Sequence, residues 1–146
     1  MGDTGAVKYE QEVPEILGAM ANVEAVLEAQ AFDRRLGELV RLRVSQINQC
    51  AYCVKMQLRV ARELGESDDR LDRVVVWRHV RDFSERERAA LAWAEALTGL
   101  DGRADLAELR ARLPAHFDER EIGMLTSAIA MINLWSPHPG LAALRC

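Results

Sequence analysis

The chain has 146 residues, 49% of them hydrophobic and 29% charged, with a formal net charge of −4. That length suits one domain that buries roughly two-thirds of its unfolded surface, and that composition excludes a disordered chain. The acidic balance argues against nucleic acid as the main ligand, because phosphate binding needs a basic surface, and acidic residues are interleaved with nearly all the arginines.

The start, Met1-Gly-Asp-Thr-Gly-Ala6, has neither the basic n-region nor the apolar core of a secretory signal. Ala6 also stands where a myristoylation site needs Ser or Thr. Residues 1–12 are expected to be a flexible or loosely packed lead-in to a single domain spanning 1–146. From there on, helical periodicity dominates. Val13, Ile16, Leu17, Met20, Val23 and Leu27 form an apolar stripe, with Pro14 suited to a first helical turn. Leu36, Leu39, Val40, Val44 and Ile47 form a second stripe that ends near Asn48-Gln49. A further helix opens at about Cys50 and runs through Val54, Leu58, Ala61 and Leu64 to Gly65, which suits a C-cap.

Ser67-Asp-Asp starts a shorter element with Leu71, Val74 and Val75. Val74-Val-Val-Trp77 has strand propensity, but no partner strand occurs elsewhere, so it is read as helix. Ser84-Glu-Arg-Glu87 is a capping-box signature ahead of Leu91, Ala94 and Leu97, with Gly99 and Gly102 placed to close that helix. A short helix from about Asp105 must end before Pro114. Asp118-Glu-Arg-Glu121 opens the last helix, through Ile122, Leu125, Ile129, Ile132 and Trp135, which Ser136-Pro-His-Pro-Gly140 breaks. The fold class is all-α. No run reaches the ~18 apolar residues of a membrane span.

Cys50-Ala-Tyr-Cys53 carries the chemistry. Two thiols at that spacing can meet the distance a disulfide demands, and a helix N-terminus favours the thiolate. Three cysteines without an export signal fit a reducing cytoplasm, where a close pair suggests redox or metal chemistry. Cys146, the last residue, is read as incidental. A zinc site needs two more ligands, and His79, His116 and His138 are scattered. Two buried cysteines packing as small hydrophobes are the plainer alternative. His79 and His116 read as exposed or capping groups, and His138 as part of a turn. Trp77, Trp93 and Trp135 read as core or subunit-interface anchors.

If the helices on either side of Asn48-Gln49 form an antiparallel hairpin, Glu38 lies about 15 Å back from the turn and Gln57 about 10 Å along the returning helix. Cys53 and Gln57 are four residues apart and share a face. Flanked by Arg34, Arg35, Arg41 and Arg43, however, Glu38 on residues alone reads as a solvated surface carboxylate.

Glu38-Leu-Val-Arg-Leu-Arg-Val-Ser-Gln-Ile-Asn48 leading to Cys50-Ala-Tyr-Cys53 resembles the alkylhydroperoxidase D-like branch of the carboxymuconolactone decarboxylase family. Phe83-Ser-Glu-Arg-Glu-Arg-Ala-Ala-Leu-Ala-Trp-Ala-Glu-Ala-Leu97, Phe117-Asp-Glu-Arg-Glu-Ile122 and Ile129-Ala-Met-Ile-Asn133-Leu-Trp135 extend the match to residues 13–135. The resemblance implies an all-helical homotrimer or hexamer without a cofactor. It also implies a thiol-dependent reaction with hydroperoxides, with a lipoyl-protein or thioredoxin-like reductant regenerating the dithiol. By it, Cys53 is the peroxidatic thiol, Cys50 the resolving one, and Glu38 draws off the thiol proton through a histidine. Dipole reasoning alone favours Cys50 as the more acidic thiol. Gln57 stands where the family places that histidine, and Tyr52 where some members have another. Glutamine has no proton that titrates near neutrality, so it weakens the relay. The family's decarboxylase activity is a competing reading, disfavoured because two thiols are superfluous for it. A non-catalytic or redox-sensing oligomer is the third.

Overall fold

The computed structural model describes residues 7–30, 32–100 and 102–136. Among these residues all regular structure is helical. Part of the expected loose lead-in, as well as His138 and Cys146, lies outside them.

Eight α-helices follow one another: α1 (Tyr9–Glu12), α2 (Pro14–Ala29), α3 (Arg34–Ile47), α4 (Ala51–Glu63), α5 (Asp68–Arg73), α6 (Glu85–Gly99), α7 (Leu106–Arg112) and α8 (Glu119–Trp135). Their starts are set by local chemistry. Asp33, Ser67 and Asp105 each accept the backbone N–H three residues on. Ser84 with Glu87, and Asp118 with Glu121, close reciprocal capping boxes. Each such box satisfies two N–H groups that the helix itself leaves without partners.

One expected helix end needs correction, and one helical reading is refined. Gly99 is the last residue of α6, and the left-handed cap is Leu100 at φ 45° rather than a glycine. Val74–His79 forms a 3₁₀ segment kinked at Val76, neither a strand nor a continuous α-turn. Three successive β-branched residues crowd an α-helix. The tighter 3₁₀ winding eclipses residues three apart and buries Val74 and Trp77 together, leaving Val75 and Val76 outside.

Helix α3 is the centre of the molecule, packed by α4, α6 and α8. Leu36, Val40 and Val44 join α6 and α8 residues in one core cluster, while Leu39 and Leu42 join Ala61, Leu71 and Trp77 in another. A helix covered on so many sides buries its polar residues as well. Every residue from Leu36 to Val40 is buried, Glu38 among them. The three tryptophans are buried, and each indole N–H has an acceptor: Trp77 on Glu95 at 2.8 Å, Trp93 on Thr126 at 3.0 Å and Trp135 on Glu24 at 3.0 Å.

The stripe expected on α2 divides. Met20 packs with Met131 and Trp135, flanked by Leu17 and Leu27, but Ile16 and Val23 on the arc's other edge are exposed, as is neighbouring Val26. The apolar arc is wider than the strip α8 covers. In α1 no side chain is fully buried.

Candidate active site around the Cys50–Cys53 pair

The link between α3 and α4 is a tight turn that aims the cysteines. Gln49 adopts φ 54°, and the Cys50 N–H reaches back to the Ser45 carbonyl at 3.1 Å. This pattern ends helices economically, though a non-glycine in the left-handed region costs about 1 kcal/mol. The same device at Gly65, with φ 89° and Glu66 N–H on Ala61 O at 3.0 Å, ends α4 without that cost. Across the first turn Asn48 donates to Asn133 of α8 at 2.8 Å, tying the hairpin to the last helix.

Cys50 is the N-cap of α4 and is joined by a disulfide to Cys53, with Cα atoms 5.3 Å apart. The Cys53 N–H donates to Cys50 Sγ at 3.3 Å. Cys50 is half-buried, whereas Cys53 has no exposed surface. The Ser136 hydroxyl, at the end of α8, donates to Cys53 Sγ at 3.8 Å and is itself buried. Each sulfur therefore has its own donor, one from the helix backbone and one from a side chain 83 residues away.

Glu38 is 7% exposed, which overturns its reading as a solvated carboxylate. Of the four flanking arginines only Arg41 pairs with it, Nη1 to Oε1 at 2.9 Å. Arg35 pairs with Glu66 and Arg43 with Glu95, while Arg34 is exposed. Arg41 also reaches Glu24 of α2 at 3.4 Å, whose other oxygen accepts from Trp135. The chain Trp135–Glu24–Arg41–Glu38 thus binds three helices. Gln57 is 1% exposed, and its Nε2 has no hydrogen-bond partner among the described residues.

Glu38, Arg41 and Gln57 line one cavity of about 300 Å³ with an apolar wall that includes Phe32, Met56 and Val60. Glu38 and Gln57, from the two arms of the hairpin, thus face the same cavity. Neither cysteine is among the described residues lining that cavity; Cys53 lies one turn back along α4 from Gln57. His79 is exposed and His116 ends a 3₁₀ turn, so neither replaces the histidine missing at 57. Among the described residues no group of three His, Cys, Asp or Glu stands close enough to hold a metal ion, and no helix is long and apolar enough to cross a membrane.

Three residues of this arrangement were not singled out by sequence reasoning: Ser136, Arg41 as Glu38's counter-ion, and Glu24. A hydroxyl just past the last apolar residues of α8 was the only signal for Ser136. Arg41 had its i,i+3 spacing from Glu38. Glu24 was legible only as a carboxylate on the apolar side of α2.

A helix-capping Cys-x-x-Cys disulfide and a buried carboxylate in one all-α core define the class of helical protein, and comparisons narrow it. Residues 12–96 match the carboxymuconolactone decarboxylase family. The chain belongs to that family, within its alkylhydroperoxidase D-like branch. It is 32% identical over 130 residues to the uncharacterized protein YdfG of Bacillus subtilis, covering 89% of this chain and 88% of that one. It is 41% identical over 97 residues to the uncharacterized protein YnjA of Escherichia coli, covering 66% of this chain and 52% of that protein. Among solved structures, an Agrobacterium tumefaciens protein of unknown function, described as a candidate antioxidant defence protein AhpD, superposes with a TM-score of 0.81 at 33% identity over 90% of both chains. An uncharacterized peroxidase-related protein from Silicibacter shares the fold, with a TM-score of 0.71 at 23% identity over 83% of this chain and 64% of that one.

Proposed function

We propose that this chain is a dithiol peroxidase that reduces organic hydroperoxides. The observation that carries the reading is the unequal burial of the two bonded sulfurs beside a cavity holding Glu38 and Gln57. Cys53, on the inner side, is the peroxidatic thiol. Its thiolate attacks the terminal oxygen of the hydroperoxide, the O–O bond breaks, and the alkoxide leaves and takes up a proton to become the alcohol. Cys53 is then a sulfenic acid, and attack by the Cys50 sulfur expels water and forms the disulfide. Glu38 accepts the Cys53 proton through a water, with Gln57 in the relay position.

Cys50, on the outer side, is where an external dithiol attacks to regenerate the pair, by two successive exchanges. A lipoyl-protein or thioredoxin-like reductant supplies that dithiol in the cytoplasm. The working molecule is a homotrimer or hexamer, supported by the exposed apolar edge of α2.

Gln57 favours a second reading, a redox-sensing oligomer that keeps the disulfide switch without efficient turnover. Stopped-flow oxidation of the reduced protein by an organic hydroperoxide separates the two. Alcohol produced stoichiometrically, with Cys53→Ser abolishing the first step and Cys50→Ser trapping a sulfenic acid, supports the peroxidase. Disulfide formation only with added disulfide, and none with hydroperoxide, overturns it in favour of the sensor. Release of carbon dioxide from a lactone acid would instead support a lyase.

A further inference from the structure

We infer that Ser136 is a catalytic residue of the thiol reaction, the hydrogen-bond donor that holds the Cys53 thiolate. The inference rests on the dithiol reading above and assigns a role to a residue that the cysteine motif does not contain. Its geometry is specific. The last turn of α8 places the Ser136 hydroxyl 3.8 Å from Cys53 Sγ, with both residues buried. The Ser136 backbone N–H is spent on Ile132 O at 2.9 Å, so the helix end fixes where the hydroxyl sits.

The physical need is plain. A thiolate moved out of water loses its hydration, and burial alone disfavours the charged form. The backbone N–H nearest to Cys53, its own, donates instead to Cys50 Sγ at 3.3 Å. Among the described residues, charged groups on the surrounding helices do not substitute. Glu38 and Arg41 of α3 pair with each other at 2.9 Å, Glu24 of α2 answers Arg41 at 3.4 Å, and Lys55 of α4 is exposed. Helix α8 has no charged side chain between Ile122 and Trp135. The hydroxyl is the donor that α8 brings to the sulfur.

It serves in both half-reactions. Before oxidation it stabilises the attacking Cys53 thiolate. During regeneration an external thiolate bonds to Cys50, the S–S bond breaks, and its electron pair leaves on Cys53, where the same hydroxyl receives it. A better-stabilised leaving thiolate departs faster.

The test titrates the reduced full-length protein by thiolate absorbance, with Cys53→Ser identifying which step belongs to Cys53. Ser136→Ala should raise the Cys53 midpoint by about 0.5 to 1 pH unit, leave the Cys50 midpoint in place, and slow disulfide reduction by dithiothreitol about 3- to 10-fold, in line with a hydrogen bond to a charged group. Ser136→Thr, which keeps a hydroxyl, should restore both values, and its isostere Ser136→Val should not. An unchanged Cys53 midpoint in a folded Ser136→Ala protein, or both cysteines shifting alike, overturns the role. So does a Cys53 midpoint in the unaltered protein above the ordinary thiol value of about 8.5, where burial would prevail undiminished. No hydroperoxide enters this titration. A Ser136 effect without hydroperoxide reduction sinks the peroxidase reading alone, and hydroperoxide reduction indifferent to Ser136 sinks this inference alone.

Discussion

Arg41 and Glu38 meet at 2.9 Å on the most deeply covered helix of the molecule, and both side chains are largely withdrawn from solvent. A carboxylate in that position is tolerable only while its cation and hydrogen bonds are in place. Arg41 also engages Glu24, so one guanidinium joins α2 to the site on α3. Arg41→Met should therefore destabilise the protein by about 3 kcal/mol, the cost of stranding a buried charge. Urea unfolding followed by circular dichroism measures it. A loss below about 0.5 kcal/mol would show that Glu38 does not depend on Arg41.

This pair also shows where sequence reasoning stopped. The Cys-x-x-Cys, the capping box at Ser84, the helix start at Asp118 and the stop before Pro114 were legible because each is decided within four residues. The burial of Glu38 was not, since its four neighbouring arginines argue for solvent until α4, α6 and α8 close around α3. The gap between Cys53 and Ser136 spans most of the chain, and no local pattern encodes it. On α2 the apolar period was legible, but how much of the arc would be covered depends on where α1 and α8 pack against it.

Acid should weaken the fold through carboxylates that the native state holds ionised. Burial pushes Glu87 upward, yet its hydrogen bonds from Arg70 and from the Ser84 backbone and hydroxyl outweigh that and hold it below the ordinary 4.5. Glu95 is likewise lowered, with burial opposed by Trp77, Arg43 and Arg78. A depressed folded value means that this stability is fully present above pH 4.5 and is lost as pH falls through the folded value. Glu87→Gln should thus reduce stability at neutrality, with the difference from the unaltered protein narrowing below pH 4.5. Chemical denaturation at a series of pH values tests this. A difference constant from neutrality to about pH 3 would assign the loss to the cap geometry instead.

The edge of α2 predicts assembly. Ile16, Val23 and Val26 are exposed on one side of a helix whose other side is packed. Light scattering should report a trimer or hexamer at micromolar concentration. Val23→Glu combined with Val26→Glu should shift it toward monomer while leaving helicity intact. A monomer in the unaltered protein would remove the assembly from the proposed function.

Gln57 gives the sharpest prediction. It sits in the cavity wall with Glu38, one helical turn from Cys53, with its Nε2 buried and unpartnered among the described residues. The position is thus built for a polar group that exchanges hydrogen bonds, and the amide there cannot take a proton from a thiol near neutrality. An imidazole can, and general-base assistance is typically worth ~10²–10⁴-fold. Gln57→His should raise hydroperoxide turnover, with at least a tenfold gain if the ring reaches the relay geometry, ~1.4 kcal/mol in barrier. It should also lower the apparent Cys53 thiol midpoint. Adding Glu38→Gln should then remove most of the gain, because the carboxylate orients the ring and accepts its proton. Stopped-flow rates and thiolate titration on the single and double variants decide it. If Gln57→His alters neither rate nor midpoint while both thiols remain reactive, residue 57 lies outside the proton path, and the acceptor of the Cys53 proton has to be sought on the Ser136 side of the sulfur.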